Sequence, residues 1–332
     1  MQIITTVITD SSVFFDLRQE WHQLLTHSAI NEIFLTPEYQ SIWWQTLGKG
    51  QLHVISIRLV SGELVGLAPL FVENNSVSFI GCKDVSDYLD FIVHKDYEEL
   101  VYQAILNELK SIKDVSFSLC SIPESSPTLV QIPRLLTGDT KLTLTEQEVC
   151  PQIQLPNTWD TYLTNLDRKQ RQEIKRKWKK IETTEEVAYE CIYEEHPATQ
   201  AVSQFIELHQ QSSETKRDFW DPHHKAFFEQ LLPVLARRGW LKLFFLSIGR
   251  HTKPIAAMLI FDYGGHYDLY NSGFNPDFSS LSPGQVLTAY TIKDAIENGR
   301  TLYDFLRGNE EYKFRLGGIP KPIFDLNFAL IK

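Results

Sequence analysis

Two stretches of this chain carry the same order of hydrophobic periods, and that recurrence constrains the fold more than any single motif. In the first, LHVISIRLV (52–60) and ELVGLAPLF (63–71) alternate with a period of two around the turn Ser61-Gly62. Asn74-Asn75 turns the chain into SVSFIG, and YLDFIV (88–93) reads as a further short strand. The period then becomes helical over 96–112, with Val101, Ile105, Leu109 and Ile112 on one face and an Asp96/Glu99 capping-box pattern at the start. The strand VSFSLCSI (115–122) follows. In the second stretch, GWLKLFFLSI (239–248), IAAMLIFDY (255–263) and HYDLYNSGF (266–274) read as a meander, 282–299 as a helix and TLYDFL (301–306) as a strand. The helices start at 96 and 282 and the strands after them at 115 and 301, both 186 apart. This spacing predicts a tandem duplication of one α/β unit, against chance agreement of two ordinary α/β patterns. The expected domains are 1–150 and 151–332, in keeping with roughly 100–200 residues per domain.

Composition narrows the function classes. A net charge of −10 disfavours a generally basic nucleic-acid binder. Cys82, Cys120, Cys150 and Cys191 lie far apart with no CxxC spacing, which argues against zinc and against a disulfide framework. A reduced, cytoplasmic setting is expected. MQIITTVITDSSVFF reads as a strand rather than a signal peptide. No apolar run of about 18 residues predicts a membrane span.

Three places could carry chemistry. Ser282-Pro283-Gly284-Gln285 opens a helix: Ser282 and Gln285 form a capping-box pattern, proline suits the first turn, and Gly284 lets a ligand approach the backbone. Such a helix start attracts anions, although the same residues also simply begin helices well. The helix 167–182 carries Arg168, Lys169, Arg171, Lys175, Arg176, Lys177, Lys179 and Lys180 around a thin stripe of Ile174, Trp178 and Ile181. That face would attract an anionic substrate or nucleic acid, or be merely solvated. The segment YDFLRGNEEYKFRLG (303–317) crowds charges and aromatics behind an apolar strand. His223-His224 is poor chelation geometry, so no metal is expected. GxSxG, HExxH and P-loop patterns are absent.

From Ser282-Pro-Gly284 through Gly299 to Asp304-Phe305, Gly308, Glu310, Tyr312 and Lys313, the second half resembles GNAT-fold acetyltransferases of the CelD-like (cellulose-biosynthesis-type) group, relatives of the Fem peptidyl transferases. The basic helix and FLTPEYQSIWW add weaker likeness. The resemblance implies an α/β (α+β) chain of two tandem GNAT-like domains, each a mixed, mostly antiparallel sheet flanked by helices, with the active site in the second. It implies acetyl-CoA as co-substrate, held at Ser272, Gly273, Ser282, Gly284 and Gln285, and transfer to an amine or hydroxyl of an unknown, sugar-like or lipid-precursor acceptor. The usual GNAT phosphate signature, Gln/Arg-x-x-Gly-x-Gly/Ala, is missing: Ser279 and Ser282 stand where Gln/Arg and Gly belong. The Fem relatives use aminoacyl-tRNA, which keeps tRNA open as the donor. A non-catalytic binding module on the same fold is the third reading. Asp304 or Glu310 would be the base, Tyr312 the acid, and Lys313 would stabilise negative charge.

Overall fold

The recurrent pattern folds as two units, and the chain returns to the first after completing the second. The computed structural model describes residues 2–82, 85–136, 141–184, 186–249 and 253–329. One unit comprises residues 1–148 with 321–332, the other Val149–Pro320. The domain expected over 151–332 therefore loses its last segment.

In the first unit the chain runs β1 (Ile3–Ile8), α1 (Val13–Asp16), α2 (Arg18–His27), α3 (Pro37–Thr46), β2 (Gln51–Leu59), β3 (Leu64–Glu73), β4 (Ser76–Phe79), β5 (Ile92–Val93), α4 (Glu98–Ser111), β6 (Ser116–Pro123), α5 (Thr128–Leu135) and β7 (Lys141–Val149). Strands β1 to β4 pair antiparallel, and β6 joins β4 in parallel after the α4 crossover. Trp21 and Trp43, on α2 and α3, are buried, as is the α4 face of Val101, Ile105 and Leu109. Asp96 does not cap α4. Residues Lys95–Tyr97 form a 3₁₀ turn, α4 starts one turn later, and the Asp96 N–H donates to His94 Nδ1. Only Ile92 and Val93 of the expected 88–93 strand pair with β3.

The second unit contains β8 (Gln152–Gln154), α6 (Trp159–Asn165), α7 (Arg168–Thr184), β9 (Val187–Ile192), α8 (Glu195–Ser212), α9 (Glu214–Asp218), α10 (Pro222–Arg237), β10 (Leu241–Ile248), β11 (Ala256–Tyr263), β12 (His266–Phe274), α11 (Pro283–Glu297), β13 (Leu302–Asp304) and α12 (Glu311–Arg315). Its sheet has the order β8-β13-β12-β11-β10-β9. As in the first unit, an antiparallel meander (β10 to β12) leads through a helix to a strand in parallel with the last meander strand. Each unit therefore has the mixed, mostly antiparallel sheet flanked by helices that the resemblance implies. The equivalence extends to backbone detail: just beyond the parallel pairing of β6 and of β13, Ser121 and Leu306 adopt left-handed φ of 60° and 52°.

The strand that flanks β6 and the one that flanks β13 on the far side come from outside the repeat. β8 lies antiparallel to β13. β14 (Pro322–Ala329) lies antiparallel to β6, which is why residues after 320 leave the second unit. The parallel pairing of β4 with β6 also brings together cysteines 38 residues apart. Cys82 and Cys120 form a disulfide, with Cα atoms 6.1 Å apart, a single bridge where the cysteine spacing argued against a disulfide framework. The cytoplasmic expectation loses that support. Among the described residues, no helix is long and apolar enough to cross a membrane.

Candidate active site

Beyond its first three residues β12 loses its neighbour. His266, Tyr267 and Asp268 pair with Leu302, Tyr303 and Asp304, where β13 ends, while β12 continues to Phe274. The backbone groups along this open edge follow from the register with β11. Asn275 N–H donates to Ile255 O at 2.8 Å, and the pairs are Ala256–Phe274, Ala257–Gly273 and Met258–Ser272. Antiparallel pairs alternate between hydrogen-bonded and non-bonded, so Phe274 and Ser272 turn their N–H and C=O away from β11. Their partners agree: Phe274 N–H donates to Ser212 Oγ at 2.8 Å, and Ser272 C=O accepts from Lys216 Nζ. The Ser272 N–H faces the same edge and has no hydrogen bond among the described residues.

Next to this edge begins α11. Its proline sits in the first turn as predicted, but Ser282 does not cap it. Ser282 is left-handed (φ 53°), and its side chain makes no cap hydrogen bond. The first intrahelical bond is Val286 N–H to Ser282 O, so the N–H groups of Gly284 and Gln285 are unpaired among the described residues. A Cβ on Gly284 would find its nearest heavy atom at Phe274, 3.7 Å away, so packing does not require glycine there. Gln285 does not complete a capping box; its Oε1 accepts from Lys177 Nζ of α7. Lys180 Nζ donates to Ser280 O at 2.7 Å. The basic helix, seated by buried Ile174 and Ile181, thus brings two cations to the helix start.

Edge and helix start enclose a cleft of about 320 Å³ lined by Lys216, Met258, Ser272, Phe274, Ser282, Gly284, Gln285 and Tyr312 among others. A second cleft of about 430 Å³ shares Gln285 and Tyr312 with it and runs between α7, α11 and α12. Its walls include Ile174, Trp178, Val286, Ala289 and Leu316, and the carboxylates of Glu173 and Glu311 at its rim are paired with Lys177 and Arg315, each at 2.6 Å.

Of the predicted cofactor residues, Ser272, Ser282, Gly284 and Gln285 line the first cleft. Gly273 does not. A Cβ there would collide with the α8 backbone at Leu208 and His209, so this glycine permits close helix–strand packing instead of ligand approach.

The predicted catalytic residues divide in the same way. Asp304 is buried in β13; its Oδ1 accepts from Leu306 N–H at 2.7 Å and its Oδ2 from Gln152 Nε2 at 2.8 Å. Lys313 is buried too. Its Nζ donates to the carbonyls of Leu306 (3.2 Å), Arg307 (2.9 Å) and Gly308 (3.1 Å) and pairs with Glu310 at 2.9 Å. Together they hold a turn that contains left-handed Leu306 and Gly308 at φ 125°. A Cβ on Gly308 would lie 2.9 Å from Lys313 Nζ and closer still to Glu310. Glu310 is exposed and Tyr312 is half-buried against Phe305. Burial, then the charge of Glu310, pushes the Tyr312 phenol well up, and its hydroxyl makes no hydrogen bond among the described residues.

Two contributors had no local signature. Lys216 reaches the cleft from α9, and buried His209 anchors that helix. Trp220 Nε1–H, which can only donate, donates a hydrogen bond to His209 Nδ1 at 2.8 Å, and His209 Nε2–H donates to Asn271 Oδ1 at 2.7 Å. Burial, with the Lys216 charge, lowers the His209 pKa to about 4, so the ring is neutral. His223 and His224 instead follow the α10 cap, where Asp221 Oδ1 accepts from both backbone N–H groups at 2.8 and 2.9 Å.

Residues 168–314 match the family model described as an acetyltransferase (GNAT) domain. No curated protein matches the chain in sequence. FemX is similar in structure with a TM-score of 0.68 at 13% identity, over 98% of this chain and 97% of that one. L-PGS from Bacillus licheniformis gives 0.59 at 9% identity, over 93% and 91%. A tandem GNAT protein from the clavulanic acid biosynthesis pathway gives 0.54 at 9% identity, over 100% of each chain. The fold is thus that of two GNAT-like units in tandem, and the match to the acetyltransferase (GNAT) domain lies in the second.

Proposed function

We propose that this protein is an acyltransferase that moves an acyl group, acetyl in the simplest case, from acyl-CoA to an amine or hydroxyl of a small or sugar-like acceptor. The carrying observation is the uncapped start of α11 beside the open edge of β12. The N–H groups of Gly284 and Gln285, unpaired among the described residues, with Lys177 and Lys180 alongside, suit the pyrophosphate of the donor. The Ser272 N–H suits its thioester carbonyl. Glu310, exposed and two residues before Tyr312, is the proposed base for the acceptor's proton. Tyr312, whose raised pKa keeps it protonated at neutral pH, is the proposed acid for the departing thiolate. The buried partners of Asp304 and Lys313 favour a part in shaping the loop that presents these two residues. A cytoplasmic location belongs to this reading, since acyl-CoA is drawn from there.

A Fem-type donor, aminoacyl-tRNA, is favoured by one feature. On α7, Lys175, Arg176 and Lys179 are exposed and form no ion pair among the described residues. A thermal-shift panel with acetyl-CoA, longer acyl-CoAs and tRNA separates the readings. At 100 times its Kd a ligand should stabilise by about 2.7 kcal/mol. Gly284→Asp should abolish the acetyl-CoA shift and leave the melting temperature alone, because the cleft has room for the side chain while its charge opposes phosphate. A variant that binds acetyl-CoA normally sinks the assignment of the helix start.

A further inference from the structure

Lys216 is a costly residue to have where it is. It is half-buried, it lines the donor cleft, and it has no carboxylate within ion-pair distance among the described residues. Of its three N–H groups one is satisfied by Ser272 O. Burial lowers its pKa, and the more distant Glu310 charge opposes that shift. A cation placed so has donors to spare for a ligand in the cleft.

Its position is well determined. The end of α8 is fastened to the open edge of β12 by Ser212 Oγ, which accepts from Phe274 N–H. The Trp220–His209–Asn271 chain fastens the end of α9 to the same strand, one residue before Ser272. Asn271 faces α8 because β12 bulges at this point: the register with β11 shifts between Leu259–Asn271 and Ile260–Leu269. The ammonium is thereby set against Ser272, whose N–H, unpaired among the described residues, points to the same edge.

We propose that Lys216 is a catalytic residue, whose ammonium joins the Ser272 N–H in binding the donor's acyl carbonyl oxygen and in carrying its negative charge during transfer. This rests on the acyl-CoA reading above. The acceptor nitrogen or oxygen forms a bond to the acyl carbon, and the carbonyl π pair moves to oxygen, where the two donors meet it. The pair returns as the C–S bond breaks. Sulfur leaves with the bonding electrons and ends with the proton the acceptor has lost. Lys216 stays protonated throughout, with Ser272 O as its fixed partner.

The test needs no acceptor. Titration calorimetry compares acetyl-CoA with free CoA, which lacks the carbonyl, on wild type, Lys216→Met and Lys216→Arg. Lys216→Met should weaken acetyl-CoA about tenfold or more, the loss of one charged hydrogen bond, and change CoA by less than about twofold. Lys216→Arg, which keeps a cationic donor, should stay within about threefold of wild type for both. Equal weakening of both ligands by Lys216→Met would make Lys216 a phosphate or structural contact and overturn the proposal. So would unchanged acetyl-CoA affinity. Wild type that binds neither ligand would overturn the acyl-CoA reading itself, whereas normal wild-type binding without the acetyl-specific loss defeats the Lys216 assignment alone.

Discussion

Replacing Lys313 by methionine separates a loop-shaping role from a chemical one. Methionine keeps most of the apolar stem and removes the ammonium. Three carbonyls then lose a donor: Leu306, fully buried, and Arg307 and Gly308, which are half-buried and within reach of water. Stranding the first costs about 2 kcal/mol and the other two together about 1–2 kcal/mol. Loss of the Glu310 pair adds at most about 1 kcal/mol, because that carboxylate is 59% exposed. The ammonium no longer has to be desolvated, which offsets part of the sum and leaves about 3 kcal/mol. For a unit of this size that lowers its melting temperature by about 6–12 °C. Calorimetry should show this in the second unit's transition, read separately because two units need not melt as one. Amide exchange across residues 303–317 should accelerate in parallel. A variant that melts within about 1 °C of wild type with unchanged exchange, yet loses turnover, would refute the structural argument and return Lys313 to the chemistry.

Two further outcomes follow from contacts behind the cleft. Gly273→Ala forces a methyl group into the α8 backbone, which cannot rotate aside; it should cost about 3 kcal/mol in urea unfolding, and wild-type stability would show that α8 does not sit so close. His209 is neutral in the folded chain, with its pKa lowered from 6.5 to about 4, so the unfolded chain takes up a proton first as the pH falls. Its contribution is complete above pH 6.5, declines from there through pH 4, and totals about 3 kcal/mol. Unfolding free energies between pH 7 and 4 should fall more steeply for wild type than for His209→Gln; parallel curves would contradict the assignment.

How much of this was legible beforehand depends on the range of the interaction that sets each feature. Strand alternation, the helical faces and the proline at the start of α11 depend on neighbours a few residues away, so the repeat, the basic helix and the helix start could be read directly from the sequence. The long helices α8 and α10 lie in a stretch whose mixed polarity weakens the periodic signal. Capping also failed to follow the motif. Ser282 and Asp96 both stand at the head of capping-box patterns, yet Ser282 is left-handed and Asp96 falls in a 3₁₀ turn, because the preceding turn decides the backbone angles at the cap.

By itself the sequence determined that two similar α/β units follow one another, that the second opens a helix suited to an anion, and that a cationic helix precedes it. Tertiary structure decided the rest. It sent β14 back to the first sheet, joined Cys82 to Cys120, turned Gly273 from a ligand contact into a packing contact, and buried Lys313 in its own loop. It also set Lys216 against Ser272, 56 residues on, and left the N–H of that serine unpaired among the described residues. Those outcomes rest on strand register and helix docking, which join residues far apart in the chain, and short sequence patterns carry no record of such partners.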